Sequence, residues 1–106
     1  MGRTPEFDGL DEALRRLGAS IAALGSDGSG KQTALEDIFR VNQEIGRLAR
    51  AFRQMTPALR ELQLKVNATT VLVKGNRPAE ALQAFTDVTS GVAQVKANRG
   101  AAAGER

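Results

Sequence analysis

From Ile38, apolar side chains return every seven residues at Ile45, Phe52, Leu59, Val66 and Val73. Val41, Leu48, Met55, Leu62 and Thr69 fill the second position of each heptad, and Thr69 alone among these is polar. A hydrophobic period of about 3.5 residues predicts a helix whose stripe seats against another helix. Pro57 falls inside the pattern. Within a helix it would lose the hydrogen bond to the carbonyl of Arg53 and crowd that turn, at about 3 kcal/mol. Thr56-Pro57 equally suits a helix start, which would divide the run into helices over 33–55 and 57–74. The unbroken heptad phase favours the alternative, one long helix over 33–74 kinked at Pro57. The β-branched stretch from Asn67 to Val73 has strand propensity, but there is no second strand candidate to pair with it.

Shorter helices flank this run. Leu10, Leu14, Leu17, Ile21 and Leu24 form a narrow stripe that predicts a helix over 8–24, with Asp8 as cap and Gly25 as stop. Gly18 interrupts the stripe, where its missing side chain can let a second helix come close. The Gly/Ser-rich stretch from Gly25 to Lys31 reads as a flexible linker, after which Thr33 and Glu36 can form a capping box. Gly75-Asn76-Arg77-Pro78 is a stop-and-restart turn, and Leu82, Phe85, Val88, Val92 and Val95 mark a last helix over 78–97. Residues 1–7 have no periodicity and are expected to be disordered or vector-derived; the Ala/Gly-rich residues 98–106 are expected to be a disordered tail.

These elements predict an all-α fold in one helical domain over 8–97. Its expected form is an elongated helical bundle or coiled coil, with two shorter helices folded back on a long central one. Such a molecule is two helices thick and leaves apolar surface in water. Leu35, Phe39, Leu64, Val71 and Leu72 lie off the seam and fit a face that needs cover. The interaction seam expected from the pattern is Ile38, Val41, Ile45, Leu48, Phe52, Met55, Leu59, Leu62, Val66 and Val73. A dimer or other homo-oligomer, or a helical protein partner, is the expected occupant.

Composition narrows the chemistry. The 106 residues include no Cys, His, Trp or Tyr, which removes thiolate nucleophiles, imidazole bases, disulfides and the usual zinc sites. No apolar run approaches the length of a membrane span, and the expected setting is soluble and cytoplasmic. Gly25, Gly30 and Lys31 have phosphate-loop spacing, but Gln32 replaces the required hydroxyl and a helix precedes the loop where a strand is needed. Asp11/Glu12 and Glu36/Asp37 could pair as acid and base, yet each pair falls where helix-dipole effects account for it. Asn67-Ala68-Thr69 matches a glycosylation sequon within a helical stretch. No enzyme activity, metal, cofactor or small-molecule substrate is expected.

The net charge is +3, and Arg40, Arg47, Arg50, Arg53 and Arg60 mark a basic surface on the central run, with no acid between Glu44 and Glu61. A solvated face accounts for it most simply. Phosphates or a partner's carboxylates are the functional alternatives. Three function classes follow: an oligomerisation or scaffold module, which the seam favours; an adaptor or chaperone for a partner's amphipathic helix; and a basic helical nucleic-acid-binding protein.

Overall fold

The computed structural model describes residues 5–25 and 27–104, with side chains described over 6–25 and 27–98. They form helices α1 (Asp8–Ala22), α2 (Lys31–Ala51), α3 (Thr56–Lys74) and α4 (Pro78–Gly104), with short 3-10 turns at Pro5–Phe7 and Arg53–Met55. Among the described residues there is no strand, so the β-branched end of the heptad run is helical as expected.

The long central helix is corrected. The chain leaves the helical conformation at Phe52 (φ −129°, ψ 79°), and a 3-10 turn leads into α3. Pro57 stands in the first turn of α3, where its missing N–H costs no intrahelical bond. α3 then runs back along α2, and the Lys31 ammonium at the start of α2 donates to the carbonyl of Lys74 at the end of α3 (3.3 Å). Both arms of a helical hairpin turn the same kind of stripe toward one core, and a connection of this length keeps the two stripes in one heptad phase. Periodicity reports which side is buried and is blind to direction.

Every sequential pair is antiparallel. Ser20 on α1 donates to Asp37 on α2, and Gly9 lies beside Glu44. Gly91 on α4 lies against Leu62 on α3. The ring closes between α1 and α4, where Asp11 meets Lys96 and Gly18 meets Phe85. The result is an up-down-up-down four-helix bundle, not a two-helix-thick rod. Its extents of 52 × 23 × 18 Å fit a two-by-two cross-section of helices about 10 Å apart.

The core is built from the predicted stripes. Leu10, Leu14, Leu17 and Ile21 of α1, Ile38, Val41, Ile45 and Leu48 of α2, Leu59, Leu62, Val66 and Val73 of α3, and Val88, Val92 and Val95 of α4 supply its buried positions. Thr69 is buried too, and its hydroxyl donates to the carbonyl of Lys65 (3.0 Å), so the polar heptad position is satisfied by its own helix. Gly18 and Gly91 sit where helices approach closely. A Cβ on Gly91 would lie 2.6 Å from a methyl of Leu62, and one on Gly18 3.0 Å from the Phe85 ring.

The ends differ from expectation. Phe7, set aside with the leading residues, is fully buried and belongs to the core, while residues 1–4 lie outside the described ones. It also occupies the cap position of α1, so Asp8 is the first helical residue and not the cap. α1 stops at Ala22, short of Gly25. α2 starts at Lys31 behind Gly30, whose left-handed backbone (φ 83°) turns the chain without a side-chain cap; the expected Thr33 box does not form. α4 continues to Gly104 where a disordered tail was expected from residue 98; residues 105 and 106 lie outside the described ones. The turn between α3 and α4 follows the prediction: Gly75 caps α3, Asn76 takes a left-handed conformation (φ 59°), and Pro78 opens α4.

Candidate functional site

The predicted seam lies inside the molecule. Ile38, Val41, Ile45, Leu48, Leu59, Leu62, Val66 and Val73 are buried in the core of one chain, and Phe52 and Met55 pack partly buried against it. The eight buried side chains are taken up by packing within the chain, and Phe52 and Met55 keep only part of their surface. Burial also shows why the spacing was so regular: it was a folding signal.

The surface left over lies on the outside of the α2–α3 hairpin. Phe39 is 64% exposed, Leu64 63% and Val71 68%, and Leu35 and Leu72 are half-buried. Asp37 and Glu44 mark the side of α2 that meets α1, and the helical period puts Phe39 well away from them. Leu62 and Lys65 mark the side of α3 that meets α4, and Leu64 and Val71, one heptad apart, share a stripe outside it. The contact of Lys31 with Lys74 and the turn at Arg53–Met55 give an antiparallel arrangement in which Phe39 stands opposite the stretch between Leu64 and Val71. Three large apolar side chains thus share the outer face of one hairpin.

Shallow depressions flank them. Gln32, Leu35, Glu36, Phe39, Arg40 and Gln43 line one on α2. Thr56, Pro57, Arg60, Glu61 and Leu64 line another on α3. Each therefore joins an exposed apolar residue to an arginine. Of the five predicted basic residues, Arg47 is tied down: its guanidinium donates to Glu44 (2.8 and 3.0 Å) and to the backbone carbonyl of Glu6 (3.4 Å). Arg40, Arg50, Arg53 and Arg60 are exposed and form no ion pair with any described residue.

The acid–base candidates are occupied structurally. Asp11 accepts two bonds from the Lys96 ammonium (2.7 Å each), and Asp37 accepts from Ser20. Hydrogen bonds from Arg16 and Arg15, in that order of effect, hold the exposed Glu12 carboxyl below its ordinary pKa. Since α2 starts at Lys31, Glu36 and Asp37 lie past its first turn, so the dipole account given for them does not hold. The Gly-rich loop is closed on itself: Asp27 accepts from the backbone N–H (3.0 Å) and hydroxyl (2.7 Å) of Ser29, which lowers its pKa. Lys31, the residue a phosphate loop would aim at its ligand, instead caps α3. Among the described residues no group of acids could hold a metal ion, and no helix is long and apolar enough to cross a membrane.

Fold and surface together define a small helical bundle with an apolar outer hairpin face and a cationic edge. No protein-family model matches the chain, and no curated protein or solved structure matches it.

Proposed function

We propose that this protein is a non-catalytic helical interaction module that takes up an amphipathic helix of another protein on the outer α2–α3 face. The observation that carries this reading is the exposure of Phe39, Leu64 and Val71 together on one hairpin whose core is already complete. Large apolar side chains gathered on an otherwise satisfied bundle are the usual mark of a docking surface. A hairpin also presents the ridge and groove into which a third helix packs through i, i+3, i+4 and i+7 anchors. Oligomerisation loses its original support, since the seam that suggested it is spent within the chain. A cytoplasmic setting belongs to the same proposal and is consistent with a chain that has no cysteine.

The test is a display selection on the immobilised full chain, using helical peptides with apolar residues at the a and d heptad positions and randomised residues elsewhere. Enriched peptides are expected to lose binding when Phe39→Ser and Leu64→Ser are combined, and to keep it with Leu82→Ser. Leu82 is the control because it is an exposed apolar residue on α4, outside the face. Enrichment that is indifferent to Phe39 and Leu64, or no enrichment, overturns the reading.

A further inference from the structure

The charge around the apolar face says what kind of helix fits it. From Phe39 to Leu64 the chain carries five arginines and two glutamates, an excess equal to the net charge of the whole protein, +3. One of those glutamates, Glu44, is already bound to Arg47. What remains is Arg40, Arg50, Arg53 and Arg60, against Glu61 alone. Arg60 is one helical turn from Leu64 and lines the same depression, and Arg40 lines the depression that holds Phe39. Arg50 and Arg53 lie at the α2–α3 turn, so the cations thicken toward that end of the face. Toward the opposite end Glu36 borders the α2 depression, within reach of the Gln32 amide (3.4 Å). Lys31 and Lys74 also stand at that end, the Lys31 ammonium donating to the Lys74 carbonyl, so the charge there is two lysines beside Glu36 and not a run of arginines.

We infer that the occupant of this face is an amphipathic helix of a partner protein bearing Asp and Glu residues at the end that lies over Arg50, Arg53 and Arg60. This rests on the docking reading given above. The apolar stripe would cover Phe39, Leu64 and Val71, and the carboxylates would accept two-point contacts from guanidinium groups that no acid among the described residues engages. Desolvation beside the apolar residues strengthens those pairs relative to pairs in open water. A second copy of this chain is a poor fit, because pairing like ends sets the same unpaired arginines against each other, and pairing opposite ends gives those arginines a single acid, Glu36, together with the cations Lys31 and Lys74. Its acids offer little complement: Asp11 is held by Lys96 and Glu12 by Arg15 and Arg16, while on the face itself Glu61 stands beside Arg60 and Glu36 lies at the end away from the arginines.

The display selection discriminates when Asp, Glu, Lys, Arg and Gln are equally represented at the randomised positions. The expected result is enrichment of Asp and Glu over Lys and Arg, clustered at one end of the recovered peptides. A synthetic peptide of the consensus sequence should bind about tenfold or more weakly to a chain carrying Arg50→Glu, Arg53→Glu and Arg60→Glu, and raised salt should weaken it. Swapping its acids for Lys should restore binding to that charge-reversed chain, an outcome a misfolded variant could not give. Peptides that need Phe39 and Leu64 but carry no acidic bias would overturn this inference and leave the docking reading intact. Loss of the Phe39 and Leu64 dependence would remove both. Association of the chain with itself through this face, or tighter binding of duplex nucleic acid than of the acidic peptide, would also overturn it.

Discussion

Two sides of the same pair of helices carry apolar residues to opposite ends. Ile38 is buried and its neighbour Phe39 lies in water; Val73 is buried and Val71, two residues earlier, lies in water. The hydrophobic effect makes no distinction between them as side chains. Position does: Ile38 and Val73 fall on the stripe that the other helices cover, whereas Phe39 and Val71 are turned away by the helical period. The inner set is explained by the fold of one chain. The outer set is not, which is why it is the part of the molecule that points to a partner.

The largest expected effect comes from moving charge to the inner side. Ile45 is completely buried midway along α2. Ile45→Lys forces an ammonium into the core with no acid to meet it, and the loss should be about 4 kcal/mol or more. A domain of this size has about 5–15 kcal/mol in total, so the variant should lose its cooperative thermal transition. Circular dichroism through a melt checks this. Had Ile45 belonged to an intermolecular seam, the substitution would instead leave a folded monomer. A helical, cooperatively melting Ile45→Lys chain would therefore sink the four-helix packing described here.

That contrast marks how far the sequence could be read. The helical class, the stripes and the Gly75–Pro78 turn were legible, because burial period and turn chemistry are local properties. The reversal at Phe52 was not. Phe52 and Met55 continue the heptad in number, and both remain partly buried, so composition there gives no sign that the chain has doubled back. Pro57 was the available signal, and heptad phase outweighed it wrongly. Phe7 was missed because one aromatic ahead of a helix has no period to place it. On the surface, the apolar residues off the seam and the arginines could be read, and so could neighbours within one helix such as Arg60 and Leu64, but not the placing of Phe39 on one face with Leu64 and Val71. That placing needed the antiparallel arrangement of α2 and α3, which only tertiary packing supplies.

Smaller effects should follow where helices touch and where charge bridges them. Gly91→Ala gains helix propensity of about 1 kcal/mol yet puts a Cβ 2.6 Å from a terminal methyl of Leu62, which must then leave its buried position. Steric crowding should win, with a net loss of about 1 kcal/mol and a midpoint lowered by roughly 4–8 °C. Pairing Gly91→Ala with Leu62→Val should recover part of the loss in the same melt. A Gly91→Ala chain more stable than the parent would mean that α3 and α4 are not closely seated. Lys96 spans α4 to Asp11 and lies 5.9 Å from the centre of the Phe7 ring. Both members of the ion pair are partly exposed, so solvent screens it, and Lys96→Ala should cost about 0.5–1 kcal/mol in urea unfolding. Much of that difference should vanish at high salt.

The smallest effect on stability is expected at the residues that matter most to the proposed function. Phe39→Ser, Leu64→Ser and Val71→Ser each remove an apolar side chain that is already largely in water. Little transfer free energy is lost, and each should shift unfolding by no more than about 0.5 kcal/mol. Serine has lower helix propensity than leucine, which sets the sign of the residue that remains. Taken with Ile45→Lys, these variants split the apolar content of α2 and α3 by consequence: one set should abolish the fold and the other should leave it while abolishing helix binding. If Phe39→Ser instead destabilised the chain as Ile45→Lys does, the outer face would be core and the docking surface would disappear. Urea unfolding of the three variants beside the parent decides this, and does so before any partner is in hand.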